Sequence, residues 1–345
     1  MITPRTPRAD GYFMPPEWGP HARCWMAWPM RESLWPEGLE RAREAFARVA
    51  ATIAEFEPVT MIADPGHVAD VSLRCGNGVG CMPMQHDDSW LRDSGATFVI
   101  DGNGTTAGVD WIFNGWGERY TPFDSDAAIA RTLLARLGLT RYEAGMVLEG
   151  GAIDTDGRGT VLTSESVVLE AARNAGMTKA DAEHELCELL GASHVIWLGE
   201  GLTDDTTTGH VANLARFVAP GKVVALTSRD RMDANYAALQ DNLERLRAAR
   251  DARGEPLEIV ELPQPKPRHG TQGERLGLSH VNFTLVNGGV LVPMFDDGQD
   301  DGALDTLSKL FPARTPIQVH ATEIVRGGAG LHSITLCQPT GQMRG

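Results

Sequence analysis

Short apolar runs alternate along the chain with amphipathic segments, and glycine-containing turns separate many of them. Four of these turns are DGNG at Asp101, DGRG at Asp156, PGK at Pro220 and NGG at Asn287. Asp-Gly, Asn-Gly and Pro-Gly pairs supply the backbone angles that a tight hairpin requires. Apolar, strand-like runs flank each turn, so the pattern predicts four β-hairpins.

An amphipathic segment follows each predicted hairpin, with apolar residues three and four positions apart, which is typical of a helix with one buried face. These segments are DAAIARTLLARLG, MTKADAEHELCELLG, DANYAALQDNLERLRAAR and DDGALDTLSKLF. A lone strand then follows, as in HVIWL at 194–198 and LEIVEL at 257–262. The repeating unit is therefore hairpin, helix and strand, with a spacing of roughly 55–70 residues between turns.

The N-terminal part adds a further unit, because PEGLERAREAFARVAATIAEF predicts a helix and PVTMIA a strand. Such units cannot bury their sheets alone, so about five of them are expected to pack around an axis, where a ligand site forms from converging loops. The alternative is a generic two-domain α/β protein. The segment 263–277 is polar and proline-rich, and it is either a domain boundary or a long surface loop, of which the loop is favoured.

Charge and composition narrow the range of partners. The 345 residues carry a net charge of −15, which argues against nucleic acid as a partner. The same charge fits either a cationic small molecule or simple solubility. No apolar run approaches the ~18 residues of a membrane span, and the N-terminus lacks the apolar core of a signal peptide, so a cytoplasmic protein is expected. The five cysteines are odd in number and show no metal-type spacing, so they are expected to be reduced thiols.

Polar residues beside glycines concentrate in four segments, DDSWLRDSG (87–95), LEGG (148–151), DDTTTGHVAN (204–213) and GGAGLHSITLCQP (327–339). Taken singly they are ambiguous. Asp93 fits a buried ion pair with Arg92 equally well, Glu149 fits a turn carboxylate equally well, and a lone His210 is more typical of a protein core. If the segments meet at one axis, their carboxylates suit a guanidinium ion, with Trp90 over its flat face.

Four of the eight tryptophans, Trp18, Trp25, Trp28 and Trp35, lie within PPEWGPHARCWMAWPMRESLW. An aromatic cluster of this density is typical of a core plug, and it also fits the wall of a ligand cavity. The sequence favours the core plug and leaves the second interpretation open.

Seven blocks resemble agmatine deiminases in order and spacing, from about Met14 to Pro339. They are PPEWGPHARCWMAWP, DDSWLRDSGATFV, DWIFNGWG, LEGGAIDTDGRGTVLTSES, IWLGEGLTDDTTTGHVAN, VNFTLVNGGVLVPMFDD and GGAGLHSITLCQP. That family belongs with the Porphyromonas-type peptidyl-arginine deiminases, among the guanidino-group-modifying enzymes. The resemblance implies one domain over residues 1–345, folded as a pseudo-fivefold α/β propeller of ββαβ units around a central site.

The resemblance also implies a reaction. A cysteine attacks the guanidinium carbon of a small cationic substrate, ammonia leaves, and water hydrolyses the adduct. Asp93 and Glu149 match the guanidinium-binding carboxylates, and His210 matches the general acid and base. The expected substrate-binding residues in the matching blocks are Asp87, Trp90, Asn114, Trp116, Ala212, Gly327, Gly328 and Gly330. No metal or cofactor is required, and a homodimer is compatible with the family.

Two departures from the family pattern bear on activity. Ser333 occupies the position of the nucleophilic cysteine, and Ala212 the position of a second guanidinium carboxylate. Because a serine hydroxyl is a far weaker acid than a thiol, the chain is expected to be inactive or strongly slowed. Cys337 lies four residues beyond Ser333, ~13 Å along an extended strand, too far to replace it. The open explanations are an engineered serine, a relative that only binds, and a different guanidino or amidino substrate.

Overall fold

The computed structural model describes residues 5–343, which form sixteen strands in five small sheets. The strands are β1 (His21–Ala27), β2 (Val59–Ala63), β3 (Val79–Pro83), β4 (Thr97–Ile100), β5 (Thr106–Ile112), β6 (Thr140–Val147), β7 (Asp154–Thr155), β8 (Thr160–Ser164), β9 (His194–Leu198), β10 (Ala215–Ala219), β11 (Lys222–Thr227), β12 (Glu258–Pro263), β13 (Thr284–Val286), β14 (Gly289–Met294), β15 (Thr315–His320) and β16 (Leu336–Pro339). The sheets are arranged as a pseudo-fivefold α/β propeller.

Four sheets follow the predicted hairpin, helix, strand order. In each, an antiparallel hairpin is joined by a third strand parallel to its second strand, giving β4-β5-β6, β7-β8-β9, β10-β11-β12 and β13-β14-β15. Each of the four glycine-containing turns joins the two strands of one hairpin, as predicted. The segment between β12 and β13 is a long loop without helices or strands, and the single domain over residues 1–345 stays a prediction.

The fifth sheet closes the ring, because its hairpin partners come from opposite ends of the chain. β16 runs antiparallel to β1, and β2 and β3 continue the sheet in parallel, in the order β16-β1-β2-β3. The N-terminal helix and strand were predicted from the sequence. The pairing of the last strand with the first was not, since nothing in a local pattern connects residues more than 300 positions apart.

The longer helices begin and end close to their predicted positions. They are Leu39–Ala54, Ile129–Leu137, Lys179–Leu190, Tyr236–Ala248 and Asp300–Leu310, and a further helix, Val68–Cys75, was not predicted. The helix Lys179–Leu190 shows why: Thr178 and Asp181 form a reciprocal capping box at its start, and Gly191 adopts a left-handed conformation at its end. No helix within residues 5–343 has the length and apolar composition that a membrane span requires.

The tryptophan-rich N-terminal segment is mostly core. Trp25, Trp28 and Trp35 are buried, whereas Trp18 is half-buried. Trp35 stacks on Trp90 at a centroid distance of 5.7 Å, so part of this core lies directly behind one of the predicted site residues.

One carboxylate, that of Glu17, connects several units near the axis, and its side chain is only 10% exposed. Its Oε2 lies 3.3 Å from Arg92 Nη2, 3.1 Å from Arg216 Nη2 and 2.6 Å from His332 Nε2. Burial disfavours the charged carboxylate, but the guanidinium groups, Arg216 foremost, hold the pKa of Glu17 well below its usual range. Burial and the two arginines lower the pKa of His332 to about 3, so the neutral imidazole donates to Glu17.

We predict that Glu17→Gln lowers the free energy of unfolding by ~3–5 kcal/mol, because it leaves two buried guanidinium groups without their charge partner. Since the pKa of Glu17 is lower in the folded state, its contribution is present above the carboxyl's ordinary pKa and is lost as pH falls through the folded value. Urea denaturation at neutral pH measures the effect. The exposed Glu44→Gln is the control, expected within about 0.5 kcal/mol of the parent. Equal stability of the two variants would contradict the prediction.

Candidate active site

The four polar segments occupy equivalent positions in four of the five units. Asp93 lies in the one-turn helix Leu91–Ser94 before β4, and Glu149 precedes the turn Gly150–Ala152 before β7. His210 caps the one-turn helix Val211–Leu214 before β10, and Ser333 lies in the turn His332–Ile334 before β16. Because each turn leads into the first strand of its hairpin, the pseudo-symmetry of the fold brings the four segments toward one axis.

Asp93 is buried and held by two donors. Trp116 Nε1 donates to its Oδ2 at 2.9 Å, and the backbone N–H of Gly151 donates to its Oδ1 at 3.1 Å. Arg92 turns away from it and pairs with Glu17, so the ion pair between the sequence neighbours does not form. Burial raises the pKa of Asp93, and the nearby His210 only partly offsets this.

Glu149 is fully buried and lies between a guanidinium and an imidazole. Arg173 Nε donates to both carboxylate oxygens at 2.8 and 3.1 Å, and His210 Nε2 lies 3.3 Å from Oε2. Burial alone would raise the pKa of Glu149, but His210 and Arg173 outweigh it, and the pKa is lowered. Two carboxyl groups of one cluster are thus driven in opposite directions, an arrangement that separates acid and base roles.

His210 bridges the two carboxylates. Its Nδ1 lies 3.7 Å from Asp93 Oδ1, has no hydrogen-bond partner, and is completely buried. Burial opposes a charged ring, but Asp93 and Glu149 outweigh this and raise the pKa of His210. An unpartnered ring nitrogen 3.7 Å from a carboxylate has a lone pair or a proton available for acid–base exchange within this cluster.

Gly151 makes this close approach possible. A Cβ atom at this position would lie 2.5 Å from His210 Nδ1 and 2.8 Å from Asp93 Oδ1, closer than real contacts allow. Packing against His210 and Asp93 therefore requires a glycine at position 151, independently of the turn geometry.

A left-handed turn orients Trp116. The consecutive residues Gly115, Trp116, Gly117 and Glu118 have φ of 66°, 60°, 76° and 62°. For L-residues this conformation costs ~1–2 kcal/mol each, so Trp116 and Glu118 are strained and the two glycines limit the cost. The indole bond to buried Asp93 and its edge-on packing against Phe113 at 5.0 Å hold the strained turn in place.

A cavity opens onto Asp93. Among the described residues its lining consists of Trp90, Asp93, Trp116, Tyr120, Thr206, Thr207, Gly327, Gly328 and Ala329. The glycine-rich loop that precedes Ser333 thus forms one wall, and the turn containing Ser333 packs against the helix of Asp93. Ser333 itself is buried, and its N–H donates to Gly330 O at 3.2 Å.

Several predicted site residues have other tasks. Asp87 accepts from the backbone N–H groups of Ser125 and Asp126, and Asn114 caps the left-handed turn and donates to Ala172 O. Both side chains are committed to backbone groups, and neither is among the described residues lining the cavity, so their predicted substrate contact stays a prediction. Ala212 and Gly330 are buried and also outside that lining. The same holds for Glu149, His210 and Ser333, so among the described residues Asp93 is the predicted catalytic residue that lines the cavity, and the other three lie behind its wall.

Sequence reasoning missed Arg173, Tyr120 and Thr207. Arg173 is fully buried and also donates to Glu170, Thr208 Oγ1 and Thr207 O, so it ties the Glu149 segment to the loop before His210. The only available signal was chemical: a buried carboxylate such as Glu149 needs a cation, and EAARNAG offers one.

The fold and this acid–histidine cluster define a protein of the guanidino-modifying class. The profile of the Porphyromonas-type peptidyl-arginine deiminase family matches residues 13–339, so the chain belongs to that family. It is 41% identical to the agmatine deiminase of Pseudomonas aeruginosa (strain LESB58), with 97% of each chain covered. It superposes on the agmatine deiminase of Enterococcus faecalis with a TM-score of 0.94 at 34% identity over 98% of each chain.

A further structural neighbour is a cysteine-to-serine variant of the C. jejuni agmatine deiminase, determined with substrate bound. It has a TM-score of 0.87 and 28% identity, and the match covers 95% of this chain and 96% of that one.

We predict that Asp93→Asn lowers the pKa of His210, because it removes the carboxylate that most favours the charged ring. Since the His210 pKa is raised in the folded state, the stabilisation that these pairs provide is complete at low pH and is lost as pH rises through that pKa. NMR titration of labelled histidine measures the shift, with exposed Asp124→Asn as the control. An unchanged His210 pKa in Asp93→Asn would show that the two groups are not coupled.

We also predict that Gly151→Ala destabilises the protein by ~1–3 kcal/mol, since the added methyl group overlaps His210 and Asp93. Gly302→Ala is the matched control. It lies in the helix Asp300–Leu310 with open space around it, so its stability should be equal to or above that of the parent. Denaturant unfolding of both variants decides the matter, and equal stabilities would contradict the packing argument.

Proposed function

We propose that this chain binds a guanidino compound of the agmatine type at the cavity beside Asp93. Its frame is that of a C–N hydrolase producing N-carbamoylputrescine and ammonia from agmatine, with turnover lost or strongly slowed because Ser333 stands at the nucleophile position. The observation that carries the proposal is the convergence of Asp93, Glu149 and His210 in one buried cluster at 3.3 and 3.7 Å spacings. The names of the relatives supply the substrate.

The cluster supports the binding and proton-transfer parts of such a reaction. Asp93 is the carboxylate that lines the cavity, so it is the group that meets a guanidinium. The aromatic faces of Trp90 and Trp116 flank the same space, which suits a flat cation. His210, placed between two acids, would deliver a proton to the departing ammonia and take one from the attacking water.

Ser333, the residue at the nucleophile position, is expected to limit the reaction. A thiol with an ordinary pKa of ~8.5 can be converted to a thiolate near neutrality, whereas a serine hydroxyl needs a base that removes its proton during attack. A guanidinium carbon is resonance-stabilised, and an alkoxide is a poorer leaving group than a thiolate when water displaces the adduct. The C. jejuni variant shows that a serine replacement is compatible with substrate binding in that enzyme.

The charges around the mouth favour an amine at the other end of the substrate. A wider opening adjoining the cavity is lined by Asp204, Asp205 and Glu274 among other groups, and the next one along by Glu165, Glu170 and Glu200. Arg119, Arg275 and Arg326 also lie there, so acids outnumber the bases. An amine tail fits this surface better than a carboxylate tail does. Ala212 provides no acid of its own, which is expected to weaken binding.

A binding protein without turnover is the second candidate, and Glu149 is the observation that favours it. Its carboxylate is already occupied by the protein's own guanidinium on Arg173. A homodimer and a cytoplasmic location stay predictions that the structure does not test.

We predict that Ser333→Cys releases ammonia from agmatine, whereas the chain with Ser333 binds agmatine with little or no release. The difference should span orders of magnitude, since loss of a hydrolase nucleophile can cost on the order of 10⁶ in rate. Adding His210→Asn to Ser333→Cys should lower the rate by ~10²–10⁴. Coupled ammonia detection and calorimetry of both forms provide the measurements.

Saturable heat without product in both forms would support the binding protein and exclude the disabled hydrolase. Absence of both heat and product with agmatine, arginine and small guanidines would contradict the proposed function altogether.

A further inference from the structure

A second cavity lies on the other face of the turns that build the candidate active site. Its lining includes Arg92, Gly150, His332 and Cys337, whereas the first cavity is lined by Asp93 and the loop before Ser333. Neighbouring residues in the sequence therefore point to opposite sides, and the two cavities share no lining residue among those described. The second cavity contains a thiol that the proposed function does not use.

Cys337 faces a second cysteine across two paired strands. Cys24 on β1 and Cys337 on β16 are direct partners in the antiparallel register. Directly opposed residues in antiparallel strands have Cα atoms ~4.5–5.5 Å apart, within the ~4.4–6.8 Å range of disulfides. Cys24 is fully buried, whereas Cys337 is half-buried and lines the cavity, so a small solute reaches Cys337 first.

Positive groups surround the Cys337 sulfur. A ring nitrogen of His21 lies within 4.8 Å of it, and Arg92 Nη2 lies 3.9 Å away. The ring of His21 has acceptors at both nitrogens, the Glu17 carbonyl at 2.8 Å and the Glu57 carboxylate at 3.1 Å, so it carries both protons and a positive charge. Neither nitrogen then offers a lone pair to a metal ion. The neighbouring Cys24 thiol, followed by the charge of His21, outweighs burial and lowers the pKa of Cys337 to about 6.

We propose that Cys337 and Cys24 form a redox-active thiol pair, in which Cys337 reacts with a peroxide and Cys24 resolves the product as a disulfide. The Cys337 thiolate attacks one peroxide oxygen, the O–O bond breaks, and the hydroxide that leaves takes up a proton to become water. The sulfur is oxidised to sulfenic acid while the peroxide is reduced. The Cys24 thiol then attacks that sulfur, a second water leaves, and the S–S bond forms.

The remaining cysteines provide an internal comparison. Burial raises the pKa of Cys75 to about 11 and also raises that of Cys187. Cys187 is half-buried like Cys337 but has no cationic partner forming a hydrogen bond to its thiol among the described residues. A difference in reactivity between Cys337 and Cys187 therefore reports the charge environment and not mere access.

The test is treatment of the reduced full-length chain with dilute hydrogen peroxide in the presence of a chelator, followed by intact-mass measurement and peptide mapping. We expect the loss of two hydrogens and one cross-linked peptide joining Cys24 to Cys337, reversed by a dithiol reductant. The Cys24→Ser variant should instead accumulate a sulfenic acid on Cys337 that a 1,3-dione traps. Cys187→Ser should behave like the parent.

Three results would overturn the proposal. They are a disulfide between any other pair, over-oxidation of Cys337 in the parent chain without a bond to Cys24, and oxidation of Cys187 at the same rate as Cys337. The parent chain alone decides between these outcomes, so the proposal remains testable if a variant fails to fold.

Discussion

The bond network of Glu17 is the constraint on which the axis of this molecule depends. One carboxylate, buried among the units, binds Arg92, Arg216 and His332. Arg92 is adjacent to Asp93 in the sequence, and His332 is adjacent to Ser333. Because Glu17 holds Arg92 and His332 in place, it also restricts their sequence neighbours Asp93 and Ser333. The geometry of the candidate site therefore depends on the charge cluster around Glu17, on the opposite face of these turns. Because removing one member of such a cluster leaves charges buried without partners, the arrangement tolerates little variation.

The site combines three buried titratable groups whose pKa values are shifted in different directions. Asp93 has its pKa raised, Glu149 has its pKa lowered, and His210 between them has its pKa raised. The asymmetry comes from Arg173, which contacts Glu149 directly. Because burial raises the pKa of Asp93, a guanidinium that enters the cavity would favour the charged form of this carboxylate. The protein therefore presents a site that is electrostatically incomplete until a cation enters it.

Local patterns predicted the parts of the fold that local interactions determine. The hairpin turns and the helix after each hairpin were readable because turn chemistry and amphipathic spacing act within a few residues. The pairing of β16 with β1, the Glu17 network and the Arg173–Glu149 bond depend on contacts across the ring, and no spacing rule contains them. The left-handed turn at Trp116 was not predicted either. Its strained backbone depends on the hydrogen bond from the Trp116 indole to Asp93, which a local pattern does not contain. Motif matching did not reveal the hydrogen bonds of Asp87 and Asn114 to backbone groups, because those contacts depend on segments that only the fold brings together.

A crystal structure of this chain with agmatine would test the account most directly. The account predicts the guanidinium beside Asp93, between Trp90 and Trp116, with its central carbon facing the Ser333 hydroxyl and the amine tail toward the acidic mouth. Agmatine ordered in another cavity, or a guanidinium whose nitrogen atoms contact none of Asp93, Glu149 and His210, would contradict it.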